Sequence, residues 1–141
     1  DGWFVPEMPD LNQRNPYLAT YLIQNNIWWI ESADLSGMRI DTYSYSDKTF
    51  LAKFSQRILQ EYPHFNMVGE EWSVDPSVVA YWQKGKQNYD GYQSNLPSLM
   101  DFPTQKSLVE ALTEKQDWNK GIKKLYAVIA TDHVFIQILM V

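Results

Sequence analysis

The chain has 141 residues, enough for one domain with its own core, and 45% of them are hydrophobic. Its formal net charge is −5 and its twelve Lys and Arg are scattered, so no basic patch offers the electrostatic footprint that a nucleic acid needs. It has no cysteine, which excludes disulfides, thiolate catalysis and cysteine-based zinc sites, and no apolar run approaches the roughly 20 residues of a membrane-spanning helix.

The first residues, Asp1-Gly2-Trp3-Phe4, have neither an initiator Met nor a basic stretch leading into an apolar one. They predict a piece cut from a longer polypeptide, with no signal peptide in the piece. Asn15-Pro16 predicts a helix start, Asn as cap and Pro at the first position, and Leu18, Tyr21, Leu22, Asn25 and Trp29 then share one face. Gly37 to Asp41 reads as a short buried strand. Asp47 can cap a second helix, whose apolar stripe is Phe50, Leu51, Phe54, Ile58, Leu59 and Tyr62, with Pro63 ending it. Asn66 to Glu70 is a second strand. Asp75-Pro76 opens a short helix to about Trp82, Gly85 to Gly91 is loop, and Leu96 to Asp101 is a third strand. Thr104 to Thr113 and Lys120 to Thr131 read as helices. Strands alternating with helices imply βαβ units and a parallel sheet, hence an α/β fold.

In a parallel α/β barrel the loops after the strands' C-terminal ends build the active site. The strand-end residues here are Asp41, Glu70 and Asp101, all acidic. A carboxylate is costly at a buried strand end unless it is paired or used. Alternation puts Gly37, Arg39 and Asp41 on one face and turns Met38 and Ile40 towards the helices, so Arg39 lies beside Asp41 and favours its ionised form. On the next strand Val68 and Glu70 share a face and Glu71 points away. Trp72 follows and can shield Glu70 from water, which keeps a carboxyl protonated near neutral pH. One ionised and one protonated carboxyl on neighbouring strands suit a retaining glycosidase, and they equally suit a buried ion pair holding the sheet beside a solvated glutamate. Aromatics form 15% of the chain, six Trp and nine Tyr among them. They fit sugar stacking, or simply core filling.

Gly37-Met38-Arg39-Ile40-Asp41 resembles the Gly-x-Arg-x-Asp strand-four segment of the α-amylase family of glycoside hydrolases, and Val68-Gly69-Glu70-Glu71-Trp72 resembles its strand-five Gly-Glu-x-Trp segment. Met8-Pro9-Asp10-Leu11-Asn12, Asn15-Pro16 and the Trp28-Trp29 pair are similar to the neopullulanase, cyclomaltodextrinase and oligo-1,6-glucosidase branches. Leu96 to Pro103 resembles the strand-six region. The likeness runs from about Trp3 to His133, with the motifs in order at intervals of one βα unit.

The resemblance implies a partial (β/α)8 TIM barrel over residues 1–133, about strands four to six with their helices, incomplete at both ends. It makes Asp41 the nucleophile, Glu70 the general acid/base and Arg39 the residue that orients the nucleophile. Many members carry Lys-His three and four residues after the nucleophile; Ser44 and Tyr45 stand there, so altered subsite contacts are expected, with Tyr45 and Trp72 as sugar contacts. Ser36 replaces an Asp, a minor change. Asp101 is expected to be structural and His64 to lie at the surface. Asp132-His133 is assigned no catalysis. The family's Asp-x-x-x-Asn-His and Asn-His-Asp segments are not in the sequence. Residues 134–141 form an apolar tail where the family would have something like Tyr-Pro-Asp-Pro, and one permissible codon set read in a shifted frame restores it, so a frameshift is expected.

The implied whole protein is a retaining hydrolase of α-glucans of the starch, pullulan, cyclodextrin or maltodextrin class, needing no organic cofactor. Some relatives bind calcium, but no calcium-spaced acidic loop occurs here. The alternatives are a non-catalytic amylase-like binding or scaffolding protein, and a transglycosylase or isomerase of the same family. Resemblance to exported maltodextrin enzymes implies a periplasmic or extracellular location.

Overall fold

The computed structural model describes residues 3–135. By internal contacts the chain divides into two compact units, one of residues 1–71 and 82–99, the other of residues 72–81 and 100–141.

The first unit carries the sheet. Helix α1, Pro16–Ala33, opens as its cap dictates: the Asn15 side chain accepts from the Tyr17 and Leu18 amides, and Pro16 sits where an amide proton would have no partner. Its inward face is not the expected one. Ala19, Ile23 and Ile30 are buried, while Tyr21 and Trp29 are exposed. The difference is a rotation of about one residue: several apolar positions surround this helix, and tertiary packing chose the smaller ones. Strand β1, Gly37–Ile40, follows, then a 3-10 turn, Tyr43–Tyr45. Helix α2, Lys48–Glu61, is capped by Asp47 onto the Phe50 amide and buries Leu51, Phe54 and Ile58 of the expected stripe together with Ser55, while Phe50, Leu59 and Tyr62 are half-buried. Strand β2, Asn66–Gly69, and strand β3, Ser98–Leu99, complete a parallel sheet of order β1-β2-β3.

The register pairs Gly37 with Asn66 and runs on to Ile40 with Gly69, so the next step brings Asp41 level with Glu70. β1 is less covered than a buried strand. Gly37 and Arg39 are exposed and Met38 and Ile40 half-buried, because β1 has a neighbour on one side only among the described residues. The core of this unit is built on Tyr43, Ile58, Met67 and Leu96, all fully enclosed. Tyr43 meets Trp82 edge-on at 5.7 Å, and Trp82 meets Tyr92 at 5.6 Å.

The second unit is helical: α3, Pro76–Tyr81, α4, Phe102–Thr113, and α5, Ile122–Phe135, with α5 packed on both others. The third strand is shorter than expected because Asp101 caps α4, accepting from the Thr104 amide at 2.9 Å. The tail beyond residue 135 lies outside the described residues, and with it the expected change of reading frame.

Candidate active site

Asp41 leaves the end of β1 and Glu70 the end of β2. The ladder continues one step beyond the strands, since the Glu70 amide donates to the Ile40 carbonyl at 2.9 Å and the Glu70 carbonyl accepts from the Tyr43 amide at 3.0 Å. That step fixes the Glu70 backbone. Gly69, just before it, is enclosed so closely that an added Cβ would lie 2.6 Å from Leu96 Cδ2 and 3.1 Å from Tyr43 Cγ. A larger residue cannot stand there without moving the core.

One guanidinium nitrogen joins the two carboxyls. Arg39 Nη2 lies 2.7 Å from Glu70 Oε1 and 3.4 Å from Asp41 Oδ1. Arg39 was expected beside Asp41, and it is; its shorter contact is with Glu70. The second Glu70 oxygen, Oε2, accepts from the Thr42 amide at 3.0 Å. Asp41's side chain is 65% exposed and Glu70's 17%. The Asp41 carboxyl is held below the ordinary aspartate range, first by hydrogen bonding with Glu70 and then by the positive charge of Arg39, which together outweigh the desolvation that opposes them. The order of causes differs from the sequence reading, in which Arg39 acted alone: strand pairing brings the second carboxyl within hydrogen-bonding reach.

The remaining expected residues are distributed as follows. Tyr45, in the 3-10 turn after β1, is 38% exposed and packs edge-on against Phe4 at 5.4 Å. Trp72 is 72% exposed and belongs to the second unit; the groups holding Glu70 are Arg39 and the Thr42 amide. Asp101 is a helix cap and His64 is exposed. Sequence reasoning missed Thr42. Its backbone is left-handed, φ 46° and ψ 42°, in a residue type that seldom adopts that conformation, and no glycine or asparagine marks the turn.

The chemistry open to this arrangement is that of a carboxyl pair bridged by one guanidinium, with Asp41 the member held ionised.

The sequence profile of the family "Alpha amylase, catalytic domain" matches residues 2–139. The "Intracellular maltogenic amylase" of Bacillus subtilis (strain 168) is 27% identical over 113 residues, which cover 79% of this chain and 17% of that protein. A cyclomaltodextrinase of Geobacillus thermopakistaniensis (strain MAS1) is 35% identical over 69 residues, 49% of this chain and 12% of that protein. Among solved structures, the α-amylase of Geobacillus thermoleovorans in complex with acarbose superposes with a TM-score of 0.76 at 30% identity, covering 94% of this chain and 27% of that one. The chain thus spans only about a sixth of the length of the Bacillus subtilis relative. The expected periplasmic or extracellular location is overturned by that relative, whose name places it inside the cell. With a family profile spanning nearly its whole length, the chain belongs to the alpha-amylase catalytic-domain family.

Proposed function

We propose that the chain supplies the nucleophile and the acid/base of a retaining α-glucan hydrolase, with β1, β2 and β3 as strands four, five and six of its barrel. The observation that carries this reading is the convergence of Asp41 and Glu70, from adjacent parallel strands, on the Arg39 guanidinium, with Asp41 held in its ionised form.

The reaction is double displacement. Asp41 attacks the anomeric carbon while Glu70 protonates the departing glycosidic oxygen, giving a glycosyl ester of Asp41. Glu70, now ionised, takes a proton from water. That water attacks the same carbon, the ester bond breaks, and Asp41 is released with the anomeric configuration retained. Arg39 orients the nucleophile and ties it to the acid. Maltodextrins, cyclodextrins and related α-glucans are the substrate class, from the names of the relatives. Tyr45, with Phe4 edge-on against it, presents an aromatic face for sugar; Trp72, given the same role by the resemblance, is exposed in the second unit.

The test uses the full-length enzyme that carries this segment. An activated fluorosugar that accumulates as the glycosyl ester should label the peptide containing Asp41. Asp41→Asn and Glu70→Gln should each lower turnover of maltodextrin by roughly a thousandfold or more. Label on another residue, or turnover that survives Asp41→Asn, would sink the reading.

A further inference from the structure

Glu70 is gripped at four of its polar atoms. Its amide donates to Ile40, its carbonyl accepts from Tyr43, Oε1 meets Arg39, and Oε2 accepts from the Thr42 amide. Two of these four partners are successive amides of one turn. They converge because Thr42 is left-handed and the right-handed 3-10 turn Tyr43–Tyr45 follows it; a left-right succession points neighbouring N–H groups into one concavity, where an anion is favoured. An extended Thr42 would carry Tyr43 onward along the line of β1 and separate the two donors. The turn is anchored as well. Tyr43 is fully enclosed, its ring against Trp82 and its hydroxyl 3.5 Å from the Ser55 hydroxyl.

We infer that Thr42 is a positioning residue for the acid/base: its N–H holds Glu70 Oε2 and sets the carboxyl for proton delivery to the glycosidic oxygen, while its left-handed backbone turns the next amide, Tyr43, onto the Glu70 carbonyl. Arg39 alone would leave Glu70 held at one oxygen and free to swing. The inference rests on the reading of Glu70 as acid/base.

The experiment replaces Thr42 by its α-hydroxy acid in the full-length enzyme that carries this segment. The side chain stays and the N–H becomes an ester oxygen. With maltodextrin, whose leaving group needs a proton, kcat/KM, which reports the glycosylation step alone, should fall roughly 10- to 100-fold, the range for losing one hydrogen bond to a charged group. On a dinitrophenyl α-maltoside, whose leaving group needs none, kcat/KM should fall less than about threefold. In a Glu70→Ala background the ester should add no further loss. The same ester at Phe65, whose amide closes a remote turn onto Tyr62, controls for the chemistry and should leave both rates unchanged. Equal loss on the two substrates, or a full loss persisting in Glu70→Ala, overturns the role of Thr42. A Glu70→Ala enzyme whose kcat/KM falls equally on both substrates overturns the acid/base reading itself, and the two failures are thereby told apart.

Discussion

Asp41 and Glu70 carry the same functional group, and what separates them is supplied by neighbours. Asp41 stands mostly in solvent with the Glu70 carboxyl and Arg39 beside it, and its pKa is lowered. A carboxyl with a lowered pKa stays ionised as pH falls and loses its charge only below that value, so glycosylation of Asp41 should persist into acid where an ordinary aspartate would already be neutral. Arg39→Leu removes the second of the causes that lower it, the guanidinium's positive charge. The acid limb of the glycosylation rate, followed by fluorosugar trapping against pH, should therefore move up, though only part of the way, because the Glu70 hydrogen bond remains. An unmoved limb would show that Arg39 does not act on the nucleophile. Gly69 makes a steric argument at the same scale. Gly69→Ala puts a methyl group against Leu96 and Tyr43, both fully enclosed, and should cost about 1–3 kcal/mol, seen as a lower temperature of thermal inactivation of the full-length enzyme. Both carboxylates and Arg39 could be named from strand ends and alternation. The hydrogen bond between the carboxyls and the grip of Thr42 could not, since they depend on register and on one dihedral angle that a threonine does not advertise.

At the scale of elements, the caps were the most legible signals because each is a local bond between residues two or three apart. Asn15 and Asp47 cap the helices they were expected to cap. Asp47→Ala should cost about 1 kcal/mol and lower the hydrogen-exchange protection of the first amides of α2 about fivefold, while β2 is unchanged. Equal loss of protection in both elements would mean that Asp47 supports the whole unit and not the helix end. Faces were legible only where apolar residues are confined to one stripe. The stripe of α2 is confined, and its burial follows. α1 has Trp, Tyr, Leu and Ile on several sides, so periodicity alone could not choose, and the helix buries Ala19, Ile23 and Ile30 while leaving Tyr17, Tyr21, Trp28 and Trp29 exposed. β1 misled for a different reason, its single strand neighbour among the described residues. It reads as a buried strand, but Gly37 and Arg39, on the face opposite Met38 and Ile40, remain open.

The whole molecule sets the limit on activity. The parallel sheet and the pairing of β1 with β2 followed from the alternation of elements, whereas the division into two units did not, because no linker or composition change marks residues 72, 82 or 100. β1 has one strand neighbour among the described residues, and an open edge with exposed aromatics nearby in the sequence invites association. A barrel of this family takes roughly 200 residues or more. The resemblance also demands a third acidic residue, in an Asn-His-Asp segment, to distort the sugar and stabilise the transition state, and this sequence does not contain that segment. The 141-residue chain expressed by itself should therefore bind a hydrophobic dye or aggregate, and should hydrolyse no starch, pullulan or cyclodextrin by a reducing-sugar assay. The decisive comparison is with Asp41→Asn in the same chain. Turnover present in the parent sequence and absent from the variant would mean that a nucleophile and an acid/base on two strands suffice for glycoside cleavage; equal, background rates in both would place the missing transition-state stabilisation outside these residues.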